Sequence, residues 1–346
     1  MKFKIKRTLA LAFIILAVIV GYFGYTSYGK VYGTIEILDD SGYYLFIPTG
    51  TNLEQLTDIL FEKGIIDDYD GFLWLAKKKN LSSHLNPGRY HLKQGFSKND
   101  LVNLIRTGNQ SSVKVVFNNL RTPDQLAGVI AKQIEVDSIS LQNLFSDEEY
   151  LQERNWNQQT LPALFIPNTY EFLWNTSAEG FFNRMIKEYD SFWTEEKLNK
   201  SKALGLSPVE VVTLASIVDE ESYRDDELPI IADLYLNRLK SRYRLQADPT
   251  IKFAKGDFAM TRVLKKDLDI DSPYNTYKYY GLPPGPISIP SINAINAVLN
   301  PERDGYLYMC AKEDFSGYHN FAKTLQEHNR NARKYQNALN KRRIYK

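Results

Sequence analysis

The segment Ser207–Ser222, SPVEVVTLASIVDEES, constrains this chain most, because it sets a carboxylate in an otherwise apolar helix. Ser207 can cap, Pro208 suits the first helical position, and Glu210 completes an S-x-x-E capping box. At 100° per residue Leu214, Ile217 and Val218 share one face, and Glu221 falls between Leu214 and Ile217. Val209, Val211, Val212 and Ala215 cover most of the remaining surface, so the helix reads as buried. A carboxylate there needs a partner, or desolvation keeps it protonated, the state a general acid requires. The plainer reading makes Asp219, Glu220 and Glu221 a solvated helix end, with Glu221 salt-bridged to an arginine. Helical geometry alone leaves both open.

Composition narrows the chemistry. The 346 residues suffice for two domains, and 24% charged with 13% aromatic residues suits an ordered globular protein. A net charge of +2, with Lys and Arg dispersed, leaves no electrostatic footprint for nucleic acid. The single Cys310 excludes an intrachain disulfide and a cysteine-built metal site. His84, His91, His319 and His328 lack ligand spacing, so neither metal nor cofactor is expected. The 23 tyrosines suit carbohydrate surfaces as well as packing.

The N-terminus sets the compartment. Lys2, Lys4, Lys6 and Arg7 precede an apolar run from Leu9 to Val20, extended through Tyr25, just long enough to cross a bilayer. No A-x-A-like site follows, which favours an uncleaved anchor over a signal peptide. The basic flank then stays cytoplasmic, and everything beyond about residue 30 lies outside the inner membrane.

Four regions are expected: 1–30, flank and anchor; 40–110, a small α+β module; 111–160, a second small α+β segment or linker; and 161–346, a larger mixed α/β domain. In the first module, strands are predicted at Tyr43–Pro48 and Arg89–Leu92, and helices at Leu53–Lys63, Phe72–Lys79 and Ser97–Arg106. An echo follows seventy residues on: Phe46-Ile47 then Glu54-Gln55-Leu56, against Val116-Phe117 then Asp124-Gln125-Leu126. Beyond the aromatic FIPNTYEF at Phe165–Phe172, helices are expected at Ala178–Trp193, near Leu228–Lys240 and around Lys323–Lys341, with a strand at Tyr306–Ala311. Five prolines and two glycines between Ser272 and Pro290 predict a fixed, non-helical loop.

Five ordered motifs now converge: ASIVDEE at Ala215–Glu221, RLQADPT at Arg244–Thr250, SPYNTY at Ser272–Tyr277, GLPPGPI at Gly281–Ile287, and YHNF…HN at Tyr318–Phe321 and His328–Asn329. Together they resemble the endolytic murein transglycosylase (YceG-like) family, over nearly the whole chain, and FIPNTYEF is similar to that family's PDTY segment. The resemblance implies an α+β fold: a transmembrane helix, LysM-like module or modules, then the catalytic domain. It also implies a single catalytic Glu at the second acidic position of A-S-I-(V/I)-E-x-E, which is Glu221 here. This chain departs from the pattern at Asp219, usually Glu, at Glu220, often Lys, and at Asn118–Leu120, which lacks the usual Glu-Gly.

The implied substrate is the glycan strand of peptidoglycan, cut at the β-1,4 bond between MurNAc and GlcNAc. Glu221 would protonate the leaving oxygen, then take the proton from the sugar's 6-hydroxyl as it closes onto C1, leaving a 1,6-anhydroMurNAc end. The implied partners are glycan strands, the bacterial inner membrane and peptidoglycan synthases. Gln246 is a candidate hydrogen-bonding residue for a sugar, Asn275 for orienting Glu221 or an acetamido group, and Tyr274 and Tyr277 for stacking; a loop-fixing network is the alternative for the last three. His319 and Asn320 either line the cleft or serve structure. Asp248 either caps a helix at Pro249–Phe253 or is a second carboxylate, and Asp219 is a possible supporting group. Arg238 and Arg244 are expected to pair with acidic neighbours or with peptide-stem carboxylates. Two other functions compete: a muramidase using Glu221 with Asp219 or Asp248, and a non-catalytic peptidoglycan-binding adaptor.

Overall fold

In a computed structural model, residues 2–37, 39–118 and 120–342 are described, with side chains from residue 10 onward. The charged flank at Lys2, Lys4, Lys6 and Arg7, and the centre of the Asn118–Leu120 turn, therefore lie outside the described side chains or residues. The chain is mixed α and β, and contacts divide it into two compact units. The first comprises residues 1–114 with 133–135 and 171–176; the second holds the remainder.

The first unit opens with α1 (Lys2–Tyr32), whose Ala10–Tyr32 stretch has a mean hydropathy of 2.0, long and apolar enough to cross a membrane. Strand β1 (Tyr43–Ile47), helices α2 (Leu53–Glu62) and α3 (Tyr69–Lys78), and strand β2 (Gly88–Leu92) follow in β-α-α-β order, before α4 (Lys98–Thr107). β1 and β2 pair antiparallel with Leu45 opposite Tyr90, and alternation buries Leu45, Ile47, Tyr90 and Leu92 against Leu56, Leu60, Phe72 and Leu101. Asn52 caps α2 in a capping box with Gln55, and Ser97 caps α4.

The seventy-residue echo has a structural counterpart. Strand β3 (Ser112–Phe117) leads to Thr122, which caps α5 (Pro123–Ile130), and Gln125 accepts from the Arg121 amide much as Gln55 accepts from Asn52. Helices α6 (Ser138–Ser146) and α7 (Glu148–Gln152) intervene before β4 (Asn168–Leu173), which pairs with β3. The repeated strand–cap–helix order thus closes on a strand beyond residue 160.

In the second unit, α8 (Ala178–Phe192) and α9 (Glu195–Leu204) lead to α10 (Pro208–Glu221), α11 (Leu228–Lys240), α12 (Asp248–Lys255) and α13 (Ile292–Leu299). Every residue from Val211 to Val218 in α10 is buried, and the helix packs on α11, α12 and α13. Each fully buried Val, Leu or Ile there contributes about 1.5–3 kcal/mol. The hairpin β5 (Tyr308–Ala311) and β6 (His319–Ala322) and helix α14 (Leu325–Lys341) complete the unit. Periodicity did not reveal α9, α13 or β6; α9 buries only Ser201, and α13 has eight residues.

Segment Ser272–Pro290 has neither helix nor strand. Its Gly285 is where the backbone needs a residue without a side chain: a Cβ there would stand 1.9 Å from the Gln159 carbonyl oxygen.

Candidate active site

The capping box predicted for α10 forms: the Ser207 side chain accepts from the Glu210 amide, and the Glu210 carboxylate accepts from the Ser207 N–H at 2.8 Å. This start sets the helix phase, and fourteen residues later that phase directs the three acidic side chains at the other end apart.

Asp219 turns toward α13. Its two carboxylate oxygens accept from the Ser291 amide at 2.9 Å and the Ser291 hydroxyl at 2.7 Å, and Ser291 caps α13 through the Ala294 amide. Both oxygens are therefore engaged in joining two helices. Glu220 pairs with Arg121 at 2.9 Å. The ion pair that the plainer sequence reading gave to Glu221 thus belongs to its neighbour. Burial raises the Glu220 pKa, with Arg121 opposing.

Glu221 is half-buried and accepts from the Tyr235 hydroxyl at 2.7 Å. Desolvation pushes its pKa up to about 7; the Tyr235 hydrogen bond opposes that rise, the charge of Asp248 adds to it, and His319 and Arg238 oppose it. The carboxyl is thus poised to give and to regain a proton near neutrality, as a group acting first as acid and then as base must. Tyr235 is buried in α11 and has no counterpart among the motifs; one more tyrosine in an amphipathic helix carries no signal. Arg238, one turn on, donates to the carbonyls of Leu307 and Leu245, so its partners are backbone oxygens rather than carboxylates. Arg244 lies over the Tyr280 ring, 4.8 Å from its centre.

The motifs Arg244–Thr250 and Ser272–Tyr277 are joined by hydrogen bonds. The Gln246 amide donates to the Thr276 carbonyl at 3.1 Å, the Ala247 amide to the Thr276 hydroxyl at 3.0 Å, and the Thr250 and Thr276 hydroxyls lie 2.8 Å apart. Gln246 is exposed and held at φ +51°, a left-handed conformation that costs a non-glycine residue energy and collects at functional sites. Asp248 begins α12 but makes no cap bond there; it accepts from the Tyr277 hydroxyl at 2.5 Å. That bond replaces the expected cap, and it leaves the carboxylate close enough to act on Glu221.

Asn275 departs from its expected role. It is wholly buried, donates to the Leu268 and Ile270 carbonyls at 2.9 and 2.8 Å, and accepts from the Tyr277 and Lys278 amides. With donors and acceptor all engaged inside the loop, it fixes the turn that carries Tyr277. Tyr274 packs on Phe253 with ring centres 4.6 Å apart, and burial pushes its hydroxyl up to about 12. Tyr274 is half-buried, its ring tilted by 48° against that of Phe253. Asn320 donates to Glu313 at 2.8 Å, a contact within the β5–β6 hairpin region rather than with Glu221.

His319 is brought to the site. Its backbone N–H and its Nδ1 both meet Glu227, at 2.7 and 2.9 Å, and its charge acts on Glu221. Glu227, buried just before α11, was not singled out in the sequence: it sits in an exposed-looking RDDE run where nothing local marks it as buried. No group of three or more His, Cys, Asp or Glu residues suited to a metal ion occurs among the described residues.

The chain is similar to known proteins over most of its length. A sequence model of the YceG-like family matches residues 45–334. The chain is 31% identical over 312 residues to an endolytic murein transglycosylase of Bacillus subtilis, covering 86% of this chain and 85% of that protein. It is 26% identical over 366 residues to an endolytic murein transglycosylase of Streptococcus pneumoniae strain D39, covering 96% of this chain and 66% of the longer relative. A crystal structure of a yceG-like protein from Listeria monocytogenes superposes with a TM-score of 0.54 at 29% identity, over 84% of this chain and 99% of that one. With the family pattern running from the first strand into the last helix, this chain belongs to the YceG-like family.

Proposed function

We propose that this protein is a membrane-anchored lytic transglycosylase that cuts peptidoglycan glycan strands internally at the MurNAc-β-1,4-GlcNAc bond. The observation that carries the reading is the Glu221 carboxyl, desolvated at the end of α10 and held by the Tyr235 hydroxyl. Its family relatives named as endolytic murein transglycosylases supply the substrate class.

Protonated Glu221 delivers its proton to the glycosidic oxygen as the C1–O4 bond breaks. The resulting carboxylate takes the proton of the sugar's 6-hydroxyl while that oxygen bonds to C1, so the acid is regenerated and no water is consumed. An intramolecular hydroxyl held beside C1 has the advantage of proximity over water. Exposed Gln246 and half-buried Tyr277 are the substrate-facing residues of the joined motifs, with His319 favouring the ionised form of the carboxyl. Apolar α1 anchors the chain with its basic flank in the cytoplasm, which puts the catalytic region, residues 161–346, outside the inner membrane. Residues 40–110, in their β-α-α-β order, act as a LysM-like glycan-binding module, and residues 111–160 as a second small segment. Nascent strands beside peptidoglycan synthases are the expected setting.

The charge of Asp248 beside Glu221 favours a second reading, a muramidase in which two carboxylates activate water. Mass spectrometry of glycan treated with the full-length protein in detergent separates the two. Internal cuts leaving anhydro ends, one water lighter than hydrolytic ends, are expected; reducing MurNAc ends convert the reading to a hydrolase. Absence of cleavage on nascent, uncrosslinked strands leaves a non-catalytic adaptor.

A further inference from the structure

Glu227 stands outside the motifs and outside the proton transfers just described, yet its carboxylate is among the most enclosed in the second unit, 3% exposed. Burying a carboxylate is costly unless its oxygens are matched by donors. Here three donors converge: Oε1 receives the His319 backbone N–H at 2.7 Å, and Oε2 faces His319 Nδ1 at 2.9 Å and receives the Ser222 hydroxyl at 3.0 Å. Ser222 directly follows Glu221 and ends α10, so one carboxylate ties the helix end bearing Glu221 to the strand bearing His319.

The grip on His319 is at two points, backbone and ring, which sets both the position of β6 and the rotation of the imidazole. A carboxylate facing Nδ1 makes that nitrogen the N–H donor. The groups acting on Glu221 come from four elements: Tyr235 and Arg238 on α11, Asp248 at the start of α12, Tyr277 on the proline-rich loop, and His319 on β6. Arg238 is held by two carbonyls, Asp248 by Tyr277 and His319 by Glu227.

We propose that Glu227 is the positioning residue of this site: it holds the His319 imidazole as an Nδ1–H donor and joins it to the helix end that carries Glu221. The proposal rests on the reading of Glu221 as the general acid. A purely structural Glu227 would staple β6 to α11 and leave the acid's titration unchanged.

The test follows the Glu221 carboxyl by carbon-13 NMR in the full-length chain in detergent, assigned by its loss in Glu221→Gln, alongside the pH dependence of glycan cleavage. His319→Gln removes a group that favours the Glu221 carboxylate, so the titration should move up by roughly one unit. Glu227→Gln loosens the ring it holds, so it should move the titration the same way. The double variant should move it no further than the larger single, because both act through one imidazole. A folded Glu227→Gln protein, checked by circular dichroism, whose Glu221 titrates as in the unaltered chain overturns the proposal, as do additive shifts. If Glu227→Gln does not fold, nitrogen-15 NMR of His319 in the unaltered chain decides: a proton on Nδ1 upholds the proposal and a bare Nδ1 overturns it. Cleavage by Glu221→Gln would sink the general-acid reading instead, and the NMR titration separates that failure from this one.

Discussion

Replacing Glu221 with Gln should abolish activity and, above neutral pH, make the protein more stable. Gln keeps the volume and can still accept from the Tyr235 hydroxyl, but it carries no charge to desolvate. The Glu221 pKa rises from 4.5 to about 7 on folding. At about 1.4 kcal/mol per unit, the ionised carboxylate therefore weakens the folded state by about 3 kcal/mol at alkaline pH. The folded state binds the proton more tightly than the unfolded chain. Stability associated with this group is accordingly full below pH 4.5 and is lost as pH rises through about 7. The variant should match the unaltered protein near pH 4 and exceed it increasingly to pH 8. For a unit of this size, about 3 kcal/mol corresponds to roughly 6–12 °C in melting temperature. Scanning calorimetry of both full-length chains in the same detergent, at half-unit steps from pH 4 to 9, measures the difference. Activity in the same preparations should fall by at least ~10²–10⁴-fold, the contribution of a general acid. A stability difference that stays flat across pH would refute the reasoning, since the carboxyl would then be as well solvated folded as unfolded.

Tyr235→Phe removes the donor that favours the ionised form of Glu221, so the alkaline limb of the pH–rate profile should move above its position near 7. A rate loss of roughly ten-fold, about 1.4 kcal/mol, is expected from that one hydrogen bond and is read from kcat/KM at neutral pH. Asp219→Ala breaks both bonds to Ser291 and should cost about 1–3 kcal/mol in denaturant unfolding while leaving anhydro products; a shift to different product ends would return Asp219 to the chemistry. An uncleaved anchor predicts intact protein beginning near Met1 that stays with membranes through a high-salt wash, whereas a soluble form starting near residue 26 indicates a removed leader.

Local rules carried a good deal of this protein. The S-x-x-E box and the 3.6-residue period located α10 and its burial because both depend only on neighbours along one helix. Alternation found β1 and β2, and the density of prolines found the irregular loop, since a ring that fixes φ acts wherever the chain goes. The apolar run of α1 was legible because a long unbroken run of apolar residues is visible without any partner, and the helix is long and apolar enough to cross a membrane. The same wheel that singled out Glu221 could not say which acidic residue meets the arginine: Arg121 lies almost a hundred residues earlier, and only packing brings it to Glu220. Tertiary structure likewise decided that Asn275 is sealed within its loop, that Asp248 turns to Tyr277 instead of capping, that Tyr235 bonds Glu221 and that Glu227 holds His319. These are decisions about burial and about hydrogen bonds between distant segments. A residue's type fixes what it can donate or accept, but which partner it meets, and how dry the meeting place is, exists only once the helices and the loop have closed around it.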